Sequence, residues 1–132
     1  MDDRIDIVMV SCNRLLCTKQ AVHALHERTS TPFRLIVVDN GSFDGSVEWL
    51  LQAHRNGLIH RLVLLKENYG VHWAKNIGLR LVRSEPYFVD TDNDIVCPKL
   101  SPDWLSQLVG LMDTHGDFGA IALRPHVLIG GV

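Results

Sequence analysis

The sequence predicts an α/β fold of three α/β/α layers, in which helices cover both faces of a mostly parallel, doubly wound sheet. Short apolar runs alternate with segments of helical periodicity along the chain. Two runs, LIVV at residues 35–38 and LVLL at residues 62–65, leave no polar side for solvent, which is typical of parallel strands buried on both faces. Right-handed crossovers between such strands give the doubly wound arrangement.

The first half of the chain contains two strand–helix pairs. Residues 5–10 (IDIVMV) predict the first strand, and residues 15–27, with apolar positions at helical spacing, predict the first helix. A proline-containing breaker precedes the second strand, residues 33–38, which is rich in branched side chains. A turn with two glycines, residues 40–45, then leads into a short helix over residues 47–54.

The second half continues the alternation. Residues 62–65 predict the third strand, residues 73–82 a helix, and residues 87–89 the fourth strand, which runs into an acidic turn at residues 90–94.

The last predicted helix begins at Ser101, as N-cap, with Pro102 in its first turn, and it ends near Met112. Residues 118–123 predict a fifth strand and residues 127–129 a sixth element. Because the chain shows no repeat, low-complexity segment or linker, we expect residues 1–132 to form a single domain.

Composition excludes several classes of protein. The 132 residues carry a formal net charge of −2, so nothing marks the chain as a nucleic-acid binder. No apolar run approaches the roughly 20 residues that span a bilayer, which predicts no transmembrane segment. The acidic N-terminus is unlike a signal peptide, and the three cysteines form no CxxC pair, which argues against disulfides and structural zinc. We therefore expect a cytoplasmic protein.

Polar segments follow four of the predicted strands. They are residues 11–14 (SCNR), 39–42 (DNGS), 66–70 (KENYG) and 90–94 (DTDND). Parallel topology places all four at one edge of the sheet, which is where open α/β sheets bind their ligands.

The acidic segment is the sharpest of these features. Residues two apart in an extended stretch point the same way, so Asp92 has neighbouring carboxylates at Asp90 and Asp94. Like charges so placed repel unless a cation lies between them, and Mg²⁺ suits one or two carboxylates together with substrate phosphates. The alternative is a solvated acidic turn, which spacing alone favours.

Asp39 and Lys75 each allow two interpretations, and Gly78 allows one. Asp39 follows a buried strand, where it could accept hydrogen bonds from a nucleotide base or simply form an Asx-type turn. Lys75 is a candidate cation for a diphosphate or an exposed helix lysine. Gly78 is unfavourable inside a helix, which predicts close packing of that helix on the sheet.

Several catalytic motifs are absent from the sequence. There is no GxGxxG after the first strand, no GxxxxGK[ST] and no GxSxG, which disfavours dinucleotide, P-loop and α/β-hydrolase sites. A receiver domain of similar length would need an acidic pair after the first strand, where this chain has Cys12 and Asn13.

Taken in order, the strand-end segments resemble the N-terminal, nucleotide-sugar-binding half of a family 2 glycosyltransferase with the GT-A fold. The matching pieces are residues 11–14 (SCNR), 37–42 (VVDNGS) with 44–45 (DG), 68–70 (NYG), 74–78 (AKNIG) and 92–94 (DND), the last as a DxD motif. The resemblance implies a truncated GT-A-like domain without the usual C-terminal acceptor half.

The resemblance also implies roles for residues of this chain. Asp39 would contact the nucleotide base, Ser11 and Asn13 would line the base and ribose pocket, and Asp92 and Asp94 would hold Mn²⁺ or Mg²⁺. The donor would be a nucleoside-diphosphate sugar of UDP, GDP or dTDP type, transferred with inversion to an unidentified acceptor hydroxyl. The full set expected to bind the nucleotide sugar is Ser11, Cys12, Asn13, Arg14, Asp39, Asn40, Gly41, Asn68, Gly70, Lys75, Asn76, Asp92 and Asn93.

Two departures from the family pattern support an alternative, a non-catalytic nucleotide-binding or assembly module. Cys12 stands where the family usually has an aromatic side chain to stack on the base. The family's general base comes from the later half, so Asp103, Asp113 and Asp117 are not assigned that role. The apolar residues 118–123 and 127–129 predict self-association through the C-terminal region.

Overall fold

The computed structural model describes residues 2–123, in which four strands alternate with four helices. The elements are β1 (Ile5–Ser11), α1 (Leu15–Arg28), β2 (Phe33–Asn40), α2 (Ser46–Arg55), β3 (Arg61–Leu65), α3 (Val71–Arg80), β4 (Phe88–Asp92) and α4 (Trp104–Thr114). Within these residues, no helix is long and apolar enough to cross a membrane.

The four strands form one parallel sheet in the order β3-β2-β1-β4. The register brings their carboxyl ends together, because Ser11 lies opposite Asp39 and Val10 lies opposite Asp92. On the other side of β2, Asn40 lies opposite Leu65. The predicted parallel sheet is thus confirmed, and its carboxyl edge carries the polar segments.

Helices cover both faces of the sheet. On one face, Ile7, Met9, Leu35 and Val37 are fully buried in a core that also contains residues of α1, α2 and α4. On the other face, Ala74 of α3 packs with residues of β1 and β2. The three-layer, doubly wound prediction is therefore confirmed.

Gly78 brings α3 close to the sheet. A Cβ at this position would lie 2.5 Å from Val8 Cγ1 and 3.3 Å from Val38 Cγ2, which is too close for any side chain. The close packing predicted from Gly78 is confirmed, and it fixes the position of α3 above the strand ends.

The structure corrects the prediction for the acidic segment. The predicted strand ended at residue 89 and a turn began at Asp90, whereas β4 continues to Asp92. The ladder between β1 and β4 continues to the pair Val10–Asp92, and these backbone hydrogen bonds hold Asp90 in extended conformation. Only Asn93 and Asp94 form the turn.

The start of α4 was also predicted wrongly. The N-cap is Asp103, not Ser101, and Pro102 precedes the helix. The carboxylate of Asp103 accepts hydrogen bonds from Leu105 N and Ser106 N, at 2.9 and 3.0 Å, which are two of the free donors of a helix N-terminus.

The predicted fifth strand is absent from the described residues. Residues 118–123 have no strand conformation, and none of them belongs to the ladders of the sheet. Apolar composition predicted this strand, but a strand also needs a hydrogen-bonded partner. The predicted sixth element, residues 127–129, lies outside the described part of the chain.

Candidate functional site

Segments after the strands meet at the carboxyl edge of the sheet. We call residues 11–14, 39–44, 68–70 and 90–94 the strand-end site. Hydrogen bonds join its segments: Asn13 N donates to Ser42 Oγ at 2.7 Å, Asn40 Nδ2 donates to Asn68 Oδ1 at 3.0 Å, and Asn93 Nδ2 donates to Asn13 O at 3.2 Å. The polar segments that the sequence placed at one edge therefore form one connected network.

Asp39 is the buried carboxylate of this network, with no exposed surface. Its Oδ1 accepts hydrogen bonds from Ser11 Oγ at 2.8 Å and from Ser42 Oγ at 2.6 Å, and its Oδ2 accepts from Ser42 N at 2.9 Å. The last bond holds the turn that follows Asp39, but it reaches three residues along the chain, one residue further than the Asx-type turn that the sequence allowed. Oδ2 keeps one lone pair for a further donor, so contact between Asp39 and a nucleotide base stays a prediction.

Ser42 was not among the predicted site residues, although it connects two of the segments. Its hydroxyl donates to Asp39 and accepts from Asn13 N. The sequence signal was its place three residues after Asp39, since Asp side chains commonly bond backbone groups of the turn that they begin.

Asn13 and Arg14 both have left-handed backbone conformations, with φ of 54° and 57°. Such conformations are unfavourable for residues with side chains, and they occur often at functional sites. The side chain of Asn13 supports the turn, because its Oδ1 accepts from Phe43 N at 2.8 Å. Arg14 extends towards β4 and pairs with Asp94 at 3.0 Å.

Asp44 joins the beginnings of two helices. Its Oδ1 accepts from the hydroxyl and the amide of Ser46, at 2.6 and 3.0 Å, and its Oδ2 accepts from Leu15 N at 3.1 Å. The Ser46 hydroxyl is the main cause of the lowered pKa of Asp44. This carboxylate therefore serves the scaffold of the site rather than a ligand.

Gly41 permits close contact between the second and third segments. Its φ is 77°, and a Cβ would lie 2.5 Å from the backbone carbon of Glu67. Asn68 then closes the loop, since its Oδ1 also accepts from Gly70 N at 2.8 Å. The Nδ2 of Asn68 lies 3.7 Å from Cys12 Sγ, so Cys12 contacts the same loop.

Lys75 lies between the carboxylates of β4. Its Nζ contacts Asp90 Oδ1, and it donates to Thr91 O at 2.8 Å and Asp92 Oδ1 at 3.4 Å. The side chain is only 15% exposed, so the alternative of an exposed helix lysine is wrong. Thus the structure brings Asp92 together with Asp90, while Asp94 is paired with Arg14.

Asn93 and Asn76 lie in contrasting environments. Asn93 is 9% exposed, and its Nδ2 also donates to Thr18 Oγ1 at 3.0 Å, which attaches the end of β4 to α1. Asn76 is exposed on α3, and within residues 2–123 its side chain makes no hydrogen bond. Binding of a nucleotide sugar by either residue stays a prediction.

The family to which these segments point also matches the chain as a whole. The model of glycosyl transferase family 2 matches residues 6–131. The chain belongs to glycosyl transferase family 2. The resemblance inferred from the strand-end segments is therefore confirmed.

A curated relative of this glycosyltransferase-family chain is the undecaprenyl-phosphate 4-deoxy-4-formamido-L-arabinose transferase of Yersinia enterocolitica. The two are 32% identical over 107 residues, which cover 75% of this chain and 32% of the relative. The chain thus spans about a third of the length of this relative.

Solved structures share the fold. One is TarS of S. aureus, residues 1–349, in complex with UDP-GlcNAc, with a TM-score of 0.71 at 18% identity. The match covers 92% of this chain and 37% of the TarS chain. Another is the mannosyltransferase PcManGT of Pyrobaculum calidifontis, in complex with GDP-Man and Mn²⁺, with a TM-score of 0.67 at 22% identity. This match covers 83% of this chain and 32% of the PcManGT chain. These likenesses show the GT-A-like α/β fold.

Asp90 and Asp92 of β4 and Asp94 of the following turn, which we call the β4 carboxylates, have the donor chemistry for a divalent ion. The side chains of Asp90, Asp92 and Asp94 are 53%, 57% and 42% exposed, so their oxygens are accessible. Within residues 2–123 there is no group of three or more His, Cys, Asp or Glu side chains that could enclose a metal. Mg²⁺ and Mn²⁺ suit such an open site, because water and substrate phosphates supply the remaining oxygen ligands.

Asp103 and Asp113, two of the aspartates after β4, have structural contacts. Asp103 caps α4, and Asp113 accepts a hydrogen bond from the Tyr87 hydroxyl at 2.6 Å.

Proposed function

We propose that this chain binds a nucleoside-diphosphate sugar at the strand-end site and serves the transfer of that sugar to an acceptor hydroxyl with a divalent metal, inverting the anomeric centre. The observation that carries the proposal is the connected network. It places a buried carboxylate, Asp39, and a set of exposed carboxylates on β4 at the same edge of one sheet.

The two ends of the strand-end site suit the two ends of such a donor. Asp39 is hydrogen-bonded to Ser11 directly and is connected to Asn13 through the Ser42 hydroxyl, and this is the cluster that we assign to the base and ribose. The β4 carboxylates and the cations Lys75 and Arg14 suit a metal-bound diphosphate. The complexes of TarS with UDP-GlcNAc and of PcManGT with GDP-Man and Mn²⁺ support this class of ligand.

Asp92 is the central residue of the proposed metal site, with Asp94 as the second ligand expected from the sequence. Asp90 is an alternative second ligand, because the carboxylates of Asp90 and Asp92 both contact the ammonium group of Lys75. A bound ion would offset the negative charge that develops on the departing diphosphate. The protein's own part is to hold the diphosphate and these carboxylates in fixed positions.

Isothermal titration with UDP, GDP and dTDP, each with and without Mn²⁺, tests the proposal. We expect one nucleotide to bind in a metal-dependent manner. Asp39→Asn should weaken binding at least about tenfold, because hydrogen bonds to a charged group contribute about 1.5–3 kcal/mol. Asp92→Asn should remove the metal dependence, and the exposed Asp117→Asn should change neither. Failure of all three nucleotides to bind would contradict the proposal.

Asn substitutions at Asp90 and Asp94 decide the second ligand. Substitution of the residue that is the second ligand should weaken Mn²⁺ binding in the presence of nucleotide about as much as Asp92→Asn does. The other substitution should have a clearly smaller effect.

A non-catalytic nucleotide-binding or assembly module is the second candidate function. It is favoured by Cys12, which contacts Asn68 at the place where the family usually has a stacking aromatic. A transfer and donor-hydrolysis assay of the 132-residue chain distinguishes the two candidates, since turnover would exclude a non-catalytic module.

A further inference from the structure

Lys75 is held in a fixed place relative to β4. Gly78 and the buried Ala74 bring α3 against the sheet, so that the helix cannot move away without opening the core. The side chain of Lys75 then extends to β4, where its ammonium group meets three oxygen acceptors, on Asp90, Thr91 and Asp92. An ammonium group has three N–H donors, so all of them have an acceptor here.

We propose that Lys75 is a built-in counter-cation which competes with a divalent ion for the carboxylates of Asp90 and Asp92. Side chains two apart on a strand share a face, and two carboxylates so placed repel each other without a cation. Lys75 supplies that cation in the ligand-free protein. An added divalent ion must displace this ammonium group before it can bind both carboxylates.

This competition links metal binding to donor binding, and in this respect the inference rests on the proposed function. A diphosphate offers the ammonium group of Lys75 new anionic acceptors. Once Lys75 turns to the diphosphate, Asp90 and Asp92 are free to hold the ion. Metal alone should therefore bind weakly, and metal with nucleotide should bind much more tightly.

Electron paramagnetic resonance of free Mn²⁺ tests the competition without any activity measurement. Lys75→Gln should bind Mn²⁺ roughly fivefold more tightly than the wild type in the absence of nucleotide, which corresponds to about 1 kcal/mol, the upper end for a charge pair open to solvent on its carboxylate side. Lys75→Arg keeps the charge and should behave like the wild type. Lys66→Gln, with the same loss of charge after β3 and without an ion pair to β4 in the described residues, is the matched control.

Lysine labelling of the wild-type chain gives a second readout that does not depend on how a variant folds. Mn²⁺ should increase the reaction of Lys75 with an amine-directed reagent, measured by mass spectrometry, because the ion frees its ammonium group. Lys66 should react equally with and without Mn²⁺. Unchanged Lys75 labelling, or Mn²⁺ binding to Lys75→Gln that is equal to or weaker than wild type, would overturn the inference.

The same measurements separate this inference from the proposed function. Nucleotide-dependent Mn²⁺ binding by the wild type, with no effect of Lys75→Gln on Mn²⁺ alone, overturns only the competition. Tighter binding of Mn²⁺ to Lys75→Gln, with no nucleotide binding by any protein, supports the competition and overturns the proposed function.

Discussion

Ser42→Ala removes one hydroxyl that two segments of the strand-end site share. In the wild type this hydroxyl donates to the buried Asp39 carboxylate at 2.6 Å and accepts from Asn13 N at 2.7 Å. A hydrogen bond to a charged group contributes about 1.5–3 kcal/mol, and an unpaired, partly buried N–H costs about 1–3 kcal/mol. We therefore expect the free energy of unfolding to fall by about 3 kcal/mol, which lowers Tm by roughly 10 °C in a domain of this size.

Urea unfolding followed by circular dichroism measures this loss for Ser42→Ala. Ser106→Ala is the matched control, because the Ser106 side chain is exposed and makes no hydrogen bond in the described residues. Ser42→Thr keeps the hydroxyl and should recover most of the stability. A loss below about 0.5 kcal/mol for Ser42→Ala, within the range of ordinary surface substitutions, would refute the view that Ser42 holds the two segments together.

Three further predictions concern the scaffold. Burial opposes the charged form of Asp103, but hydrogen bonds to its carboxylate outweigh burial and lower the pKa to about 2. The stability that this carboxylate contributes is therefore complete above its ordinary pKa of 3.8, and it is lost as the pH falls towards 2. Asp103→Asn should therefore lose about 2 kcal/mol at pH 7 in urea unfolding and match the wild type near pH 2; a constant difference would contradict this. Gly78→Ala should destabilise by about 1–3 kcal/mol through overpacking, whereas Gly110→Ala, with open space around it, should stabilise by up to about 1 kcal/mol. Sedimentation should detect self-association through the C-terminal region, where Phe118 and Leu123 are 44% and 39% exposed, and a clean monomer at moderate concentration would contradict it.

Apolar patterning was sufficient to predict the parallel sheet and the edge at which its polar segments meet. The branched, nearly uninterrupted run of β2 is suited to a strand buried by helices, and parallel pairing then fixes which ends meet. The similar run of β3 does not predict burial, because β3 is the edge strand and its Leu64 is 41% exposed. The prediction from Gly78 also followed from local physics, because glycine in a helix is unfavourable unless a close approach requires it.

Contacts between distant parts of the chain could not be predicted in this way. Asp6 is the charged residue of β1, and the sequence alone gives it no partner. In the structure it is 1% exposed, and its carboxylate is paired with Arg34 at 2.7 Å. Asp103, rather than Ser101, is the N-cap of α4, and its Oδ2 also accepts hydrogen bonds from Ser30 and Thr31, which come more than 70 residues earlier in the chain. Such partners are determined by the folded topology.

The sequence did not predict which of the carboxylates at the end of β4 lie close together. The i, i+2 argument applies to Asp90 and Asp92, which both lie in β4, whereas the pair Asp92 and Asp94 follows from the resemblance to the DxD motif, and Asp94 lies in the turn after the strand. Lys75 could not be placed either, because its position depends on how closely α3 packs on the sheet.

The most direct test of the central claim is amide chemical-shift mapping of the ¹⁵N-labelled chain during titration with Mg²⁺ and a nucleoside diphosphate. We predict saturable shifts concentrated in residues 11–14, 39–44, 68–70 and 90–94. Shifts concentrated instead around the apolar cavity of about 660 Å³ that α4 and residues 119–123 line, or no saturable shifts with UDP, GDP or dTDP, would contradict the claim that the strand-end site binds the donor.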